Sequence, residues 1–207
     1  MTRHPDRSHG EASDELARRA ARLVHEGRVP DLVAALREVD APSRLRGLAR
    51  RHLETLTEIE AAAAGEPPPA VVALDVAIAI MEAIDDLESR TADRGVPYRG
   101  VRLAGHAAAG RIAPGDVLSI RHHGDRDLDD LEAEVEELGA VDLRRIAFRS
   151  RWGVLSTLEG ELDGVPFRIR RCPLGQVPMD AGHLKTARPI TLADLPTLRR
   201  VRASIHG

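Results

Sequence analysis

A two-residue turn signal, Asp163-Gly164, constrains the fold of this chain more than any other short segment. Asp-Gly flanked by the apolar residues Leu162 and Val165 predicts a tight β-hairpin of type I′. In the register that this turn sets, apolar residues oppose each other on one face, and polar or oppositely charged residues on the other. The opposed pairs are Leu162–Val165, Gly160–Phe167, Leu158–Ile169, Glu159–Arg168 and Thr157–Arg170. Because both faces agree on one register, we expect this hairpin to form.

The sequence around the hairpin predicts a small sheet module in residues 116–207. Residues 117–121 alternate and are predicted to form a strand, whereas 125–138 has the apolar spacing of an amphipathic helix. Alternating apolar residues over 144–162 indicate one further strand, or two strands divided near its middle. The order strand, helix, strand, strand (βαββ) is typical of an antiparallel sheet with one helix on one face. A capping pattern at Thr191 predicts a short C-terminal helix.

The N-terminal half is predicted to be helical. Helical periodicity runs through residues 12–95, and 70–90 is the most apolar helix in it. Residues 1–11 are expected to be disordered, and the Gly- and Pro-containing segment 96–115 forms the joint between the halves, with a short helix at about 101–109. The predicted fold class is therefore α+β: a helical N-terminal half, then a small antiparallel βαββ sheet module and a short C-terminal helix.

Composition limits the kinds of core and of function that the chain can have. Hydrophobic residues make up 43% of the sequence but aromatic residues only 2%, so the core must be built from Leu, Val, Ile and Ala. A base-stacking platform for nucleic acid needs exposed aromatic rings and is not expected. The single cysteine, Cys172, excludes an internal disulfide framework.

Neither a signal peptide nor a membrane span is expected. Residues 1–10 are polar. The only long apolar run, 70–81, contains Asp75 and is shorter than the roughly 20 residues that a span requires. We therefore expect a cytoplasmic protein that has no membrane partner.

Charge is distributed unevenly along the chain. Residues 143–207 contain twelve basic and five acidic residues, a net charge of +7, and the whole chain carries −3, so residues 1–142 carry −10. Four of the basic residues are expected to share the sheet face opposite the helix: Arg149, Arg151, Arg168 and Arg170. Such a face could bind nucleic-acid phosphates without reading the bases. Alternatively, Glu159, Glu161 and the acidic segment neutralise it within the fold or across a homodimer.

Two histidine-containing segments are candidates for catalysis. His122 and Asp125 lie where the predicted strand meets the helix, and His106 lies in the predicted joint. The adjacent residues His122 and His123 point to opposite faces of a strand and so rarely share one metal ion, and Asp125 is more simply a helix cap. The sequence lacks the motifs of phosphate loops, serine hydrolases, zinc proteases and paired metal-binding cysteines. No metal or cofactor is therefore expected.

The sequence most favours a non-enzymatic interaction protein. Its apolar helix and the edge of its sheet would bind a protein partner or a second copy of the chain, and the opposed charge blocks suit self-association. The first alternative is a nucleic-acid-binding accessory protein that uses the four arginines. The second alternative is a small-molecule enzyme that uses His106 or the His122–Asp125 segment.

Overall fold

A computed structural model describes most of the chain. The described residues are 7–64, 69–92, 95–113 and 115–205, and the side chains of 7–11, 61, 62 and 64 are not among them. The chain divides into two compact units: the first contains Met1–Pro69 and Ala113–Gly115, and the second contains Ala70–Ile112 and Asp116–Gly207. The predicted helical region 12–95 therefore spans both units, because its apolar helix groups with the sheet.

In its described residues the first unit contains three α-helices, α1 (Arg7–His25), α2 (Leu32–Glu38) and α3 (Arg46–Ala64). Asp31 begins α2 as predicted, since its Oδ1 accepts hydrogen bonds from the backbone N–H groups of the second and third residues beyond it, both at 2.8 Å. Residues 7–11, which composition assigns to a disordered tail, belong to α1, and residues 1–6 lie outside the described residues.

The second unit combines a six-stranded sheet with three α-helices in its described part. Its elements are α4 (Pro69–Arg90), β1 (Tyr98–Ala104), β2 (Leu118–Gly124), α5 (Leu128–Glu137), β3 (Val141–Ser150), β4 (Gly153–Leu162), β5 (Val165–Arg171), β6 (Leu192–Ala193) and α6 (Leu195–Ser204). The strand order across the sheet is β3-β4-β5-β2-β1-β6. Neighbouring strands are antiparallel except β2 and β5, which are parallel.

The chain is α+β, as predicted, and the β4–β5 hairpin has all five of the predicted residue pairs. The finer description, a small antiparallel βαββ sheet, is wrong because β2 pairs in parallel with β5 and the sheet is mixed. The short helix predicted at about 101–109 is wrong, since β1 extends to Ala104 and a 3₁₀ helix forms at Ala107–Ala109. Buried Val101 and Leu103 alternate with Arg102, and this spacing suits a strand rather than a helix.

One face of the sheet packs against α4 and α5. Ile80 and Ile84 of α4, and Leu131 and Val135 of α5, are fully buried in one apolar cluster with the strands. The cluster continues through inward-facing strand residues, among them Leu118, Ile120, Leu158, Phe167 and Ile169. The apolar side of α4 is therefore already covered by its own sheet. None of the described helices is long and apolar enough to cross a membrane.

A buried ion-pair network fastens the end of α4 to β2. Glu88 is only 6% exposed and accepts hydrogen bonds from Nε and Nη2 of Arg126, both at 2.9 Å. Nε2 of His122 lies 2.8 Å from the same carboxylate, and both basic side chains are buried. Burial raises the pKa of Glu88, but the hydrogen bonds from Arg126 and His122 outweigh it and leave this pKa below its ordinary value. Glu88 is therefore ionised and serves as the counterion of Arg126.

We expect Glu88→Ala to lower the free energy of unfolding by about 3 kcal/mol, because it removes the buried counterion of Arg126 and leaves only the half-exposed Asp130 to pair with it. Urea denaturation followed by circular dichroism measures this change. Asp86→Ala is the matched control, since Asp86 is exposed on the same helix, and its effect should stay within about 0.5 kcal/mol. A loss at Glu88 no larger than the loss at Asp86 would contradict the role given to the network.

Candidate anion-binding site

The sheet face opposite α4 and α5 carries basic side chains at its centre. In the parallel pair of β2 and β5, Ser119 lies beside Arg168, and Arg121 lies beside Arg170. The β4–β5 register adds Glu159 next to Arg168 on the same face. Because neighbouring residues across a sheet point to the same side, three arginines from two strands converge there.

A loop covers this face. Residues 172–190 form neither helix nor strand, and apolar residues of the loop, including Cys172 and Leu184, pack with Leu155 of β4 in a separate small cluster. Arg121 holds the loop in place, since its Nη1 and Nη2 donate hydrogen bonds to the carbonyl oxygens of residues 181 and 182 at 2.5 and 2.9 Å. Burial raises the pKa of Cys172 to about 11, so this thiol is a packing group rather than a nucleophile.

A cavity of about 360 Å³ lies between the sheet and this loop, and we call it the arginine cavity. The polar residues in its lining are Ser119, Arg121, Arg168, Arg170, His183 and Lys185. Among the described residues, no aspartate or glutamate lines it. The cavity therefore has a strongly positive lining and a volume in the range of small-molecule sites.

Arg170, like Arg121, is enclosed in the cavity and has only neutral hydrogen-bond partners. It is 8% exposed, its Nη1 donates a hydrogen bond to the hydroxyl of Ser119 at 2.5 Å, and its guanidinium carbon lies 4.4 Å from the ring centroid of Phe148. The Nε atoms of Arg170 and Arg121 are buried without a hydrogen-bond partner. In the described part of the chain, neither of these two arginines pairs with a carboxylate.

Arg168 is different, because it has a counterion. Its guanidinium pairs with Glu159, and the other carboxylate oxygen of Glu159 lies 2.9 Å from Nη2 of Arg144. Burial raises the pKa of Glu159, but the two arginines outweigh it and hold this pKa below its ordinary value. The carboxylate of Glu159 is thus shared by Arg144 and Arg168, and it contacts neither Arg121 nor Arg170.

The electrostatics of the cavity follow from this arrangement. Burial first, and then the charges of Arg168 and Arg121, lower the pKa of Arg170 to about 10. Burial also lowers the pKa of Arg121. Arginine side chains stay charged at neutral pH, so the fold holds enclosed positive charge that no carboxylate of the described residues contacts directly. An anion in the cavity would offset that cost.

The structure brings together two of the four arginines predicted from the sequence and separates the other two. Arg168 and Arg170 both line the arginine cavity. Arg149 pairs with Val154, on the opposite face of the sheet, so the expectation that all four share one face is wrong. Arg151 lies in the turn between β3 and β4 with its guanidinium carbon 5.1 Å from the ring centroid of Trp152.

The residues proposed for catalysis are also separated. His122 is fully buried on the α4 side of the sheet and contacts Glu88. Asp125 instead accepts a hydrogen bond from the backbone N–H of Leu174 at 3.2 Å. His106 is exposed and lines a second, larger cavity. Within the described residues, no group of three or more His, Cys, Asp or Glu side chains is placed to hold a metal ion.

Sequence reasoning missed Ser119, Arg121 and Lys185. Alternation along the predicted strand 117–121 places Ser119 and Arg121 on the face opposite Leu118 and Ile120, so the sequence pattern could have identified these two residues. No sequence pattern could have identified Lys185, because it lies in a loop and only the tertiary fold brings it to the site. No known protein family has a model that matches the chain, and no curated protein resembles it significantly. The function must therefore be inferred from the site itself.

His123, next to Arg121 in β2, should make the second unit less stable in acid. It is fully buried, and burial, then the charges of Arg121 and Arg102, lower its pKa to about 4. The folded state therefore resists protonation of this ring. Its contribution to stability is complete above the ordinary histidine pKa of about 6.5 and declines, by at most about 1.4 kcal/mol per pH unit, as the pH falls toward 4.

The unfolding free energies of the wild type and of His123→Leu, measured in urea at several pH values in this window, test this expectation. The variant should lose less stability than the wild type between pH 7 and pH 5. Equal losses in the two proteins would show that protonation of His123 does not oppose folding.

Proposed function

We propose that the protein binds a small phosphate-bearing molecule in the arginine cavity. The observation that carries this proposal is the enclosed pair Arg121 and Arg170, which have neutral partners only. Natural proteins seldom bury a charge without a counterion, because the cost is several kcal/mol. Where such a charge lines a cavity, a ligand of opposite charge is the simplest compensation.

Phosphate matches the cavity better than a carboxylate does. A phosphate monoester carries about two negative charges at neutral pH and offers three acceptor oxygens. Planar guanidinium groups bind such oxygens in pairs, and the hydroxyl of Ser119 and the ammonium group of Lys185 add further donors. One carboxylate, with a single charge and two oxygens, would leave part of this donor set unsatisfied.

A small molecule also fits the cavity better than a nucleic-acid backbone. Nucleic acids bind mainly to exposed lysine and arginine side chains spread over a surface. Arg170, in contrast, is more than nine-tenths buried beneath a loop, and Arg149 points away from the cavity. Nucleic-acid binding by the four predicted arginines remains the alternative that the binding experiment must exclude.

Isothermal titration with inorganic phosphate and pyrophosphate tests the proposal directly. We expect Arg170→Met to weaken binding roughly 10- to 100-fold, the usual effect of removing a hydrogen bond to a charged group. The substitution should cost little stability, or even add some, because it removes an uncompensated buried charge. Arg149→Met is the matched control on the other face and should leave binding unchanged.

Two outcomes would contradict this assignment. If Arg170→Met unfolds the protein and neither anion raises the melting temperature of the wild type, Arg170 supports the fold rather than a ligand. If labelled DNA or RNA binds, loses roughly a thousandfold in affinity between about 50 and 200 mM salt, and depends on Arg149 as much as on Arg170, the nucleic-acid alternative replaces the proposal.

One specific observation supports the alternative function, protein interaction. Strand β3, ten residues long, forms the end of the sheet and is mostly exposed. Such an edge can pair with an extended segment of another chain. Arg144 and Arg145 already pair with acidic residues of the chain, whereas the charge of Arg149 disfavours pairing with a second copy and favours an acidic partner strand. Sedimentation velocity over a range of concentrations separates these cases, since self-association requires a mass that rises with concentration.

A further inference from the structure

A second cavity continues the arginine cavity along the loop. It measures about 870 Å³, and the two cavities share Gly105, His183 and Ile190 in their linings. The larger one, which we call the outer cavity, also contains Arg111, Arg188 and the side chain of His106 in its lining. The two cavities therefore adjoin each other at His183, and we call them together the cleft.

The described charged residues that line this cleft are all cationic. Six cationic side chains line the two cavities together: Arg111, Arg121, Arg168, Arg170, Lys185 and Arg188. Among the described residues, neither lining contains an aspartate or a glutamate. The chain as a whole has 33 acidic and 30 basic residues, so a random surface of this chain would include both signs. Positive charge spread along a cleft suits a ligand with negative charge along its length.

The loop between the cavities is shaped by close backbone contacts. A Cβ atom on Gly182 would fall 2.5 Å from the carbonyl oxygen of Arg188, so this turn closes only with glycine. The backbone N–H of His183 donates a hydrogen bond to the same carbonyl oxygen at 2.7 Å. These contacts hold His183 and Arg188 together on one side of the cleft, one at the junction and the other in the outer cavity.

The hydrogen bonds of His183 also determine which of its ring nitrogens can donate. Nδ1 lies 3.4 and 3.3 Å from the backbone N–H groups of Lys185 and Thr186, which act as donors to it. Nδ1 is therefore the acceptor, and the ring proton of a neutral His183 is on Nε2. The junction thus carries a histidine N–H donor, which suits an anionic oxygen.

We infer that the two cavities bind a single polyphosphate chain, with one phosphate group at Arg121 and Arg170 and a later one in the outer cavity at Arg188. This inference rests on the proposed function and narrows its ligand from phosphate compounds in general to those with linked phosphates. A nucleoside triphosphate and an inorganic tripolyphosphate both have the required chemistry. They differ in whether a base and sugar occupy the remainder of the outer cavity.

Calorimetric titration of the full-length chain with inorganic phosphate, tripolyphosphate and a nucleoside triphosphate tests the inference. We expect tripolyphosphate to bind at least about tenfold more tightly than phosphate, since each charged hydrogen bond adds roughly 1.5–3 kcal/mol. Arg188→Met should remove most of this gain and leave phosphate binding unchanged, whereas Arg170→Met should weaken both ligands. Arg200→Met, an exposed arginine on α6 outside both linings, is the matched control and should change neither.

The results separate the inference from the function on which it rests. Equal affinities for phosphate and tripolyphosphate, with no effect of Arg188→Met, would overturn the polyphosphate site while phosphate binding stands. No binding of any of the three ligands would overturn both. A nucleoside triphosphate that binds more tightly than tripolyphosphate supports the inference and identifies the ligand as a nucleotide. Equal affinities for these two ligands also support the inference and show that only the phosphate groups are recognised.

Discussion

The register of β4 against β5 determines which side chains enter the apolar core and which face the loop. The tight turn at Asp163-Gly164 places Leu158 and Ile169 together under α4 and α5, and Thr157 and Arg170 together on the other face. A slip of one residue would bury arginines among leucines and expose the apolar side. The parallel pairing of β5 with β2 then extends the same division to Ser119 and Arg121. The arginine cavity is thus a direct consequence of one hairpin register.

The second unit buries positive charge in two different ways. On the helix side of the sheet, Arg126 is enclosed beside the carboxylate of Glu88, which accepts hydrogen bonds from Arg126 and also contacts His122. On the loop side, Arg170 is enclosed with a hydroxyl and an aromatic ring. The first arrangement compensates the cost of burial inside the fold, as structural ion pairs do. The second arrangement does not compensate the free-energy cost of burying the charge. Reduced stability of the fold at a cavity is common at binding sites.

Local patterns predicted the parts of the fold that local interactions determine. Helix α4 and the β4–β5 hairpin follow from periodicity and turn chemistry, and both formed as predicted. The β2–β5 pair could not be predicted, since parallel pairing joins segments far apart in sequence. Arg149 was assigned to the wrong face because the turn after β3 lacks an Asn-Gly or Asp-Gly signal. The turn consists of residues 151–152 and pairs Arg149 with Val154. This pairing places Arg149 on the sheet face opposite to the one that we predicted. Of the six polar residues that line the arginine cavity, the sequence predicted two as site residues, Arg168 and Arg170.

Arg121 both contacts the loop and contributes positive charge to the cavity. Its two terminal nitrogens bind carbonyl oxygens of the loop, while its side chain forms part of the cavity lining. Carbonyl dipoles stabilise a guanidinium only in part, so the loop is closed over a cation that still favours a counterion. An anion next to Arg121 and Arg170 would lower the cost of that closed arrangement. Ligand binding and loop closure would then be thermodynamically coupled. A change that opens the loop would lower the affinity for the ligand, and the bound ligand would oppose opening of the loop by the same free energy.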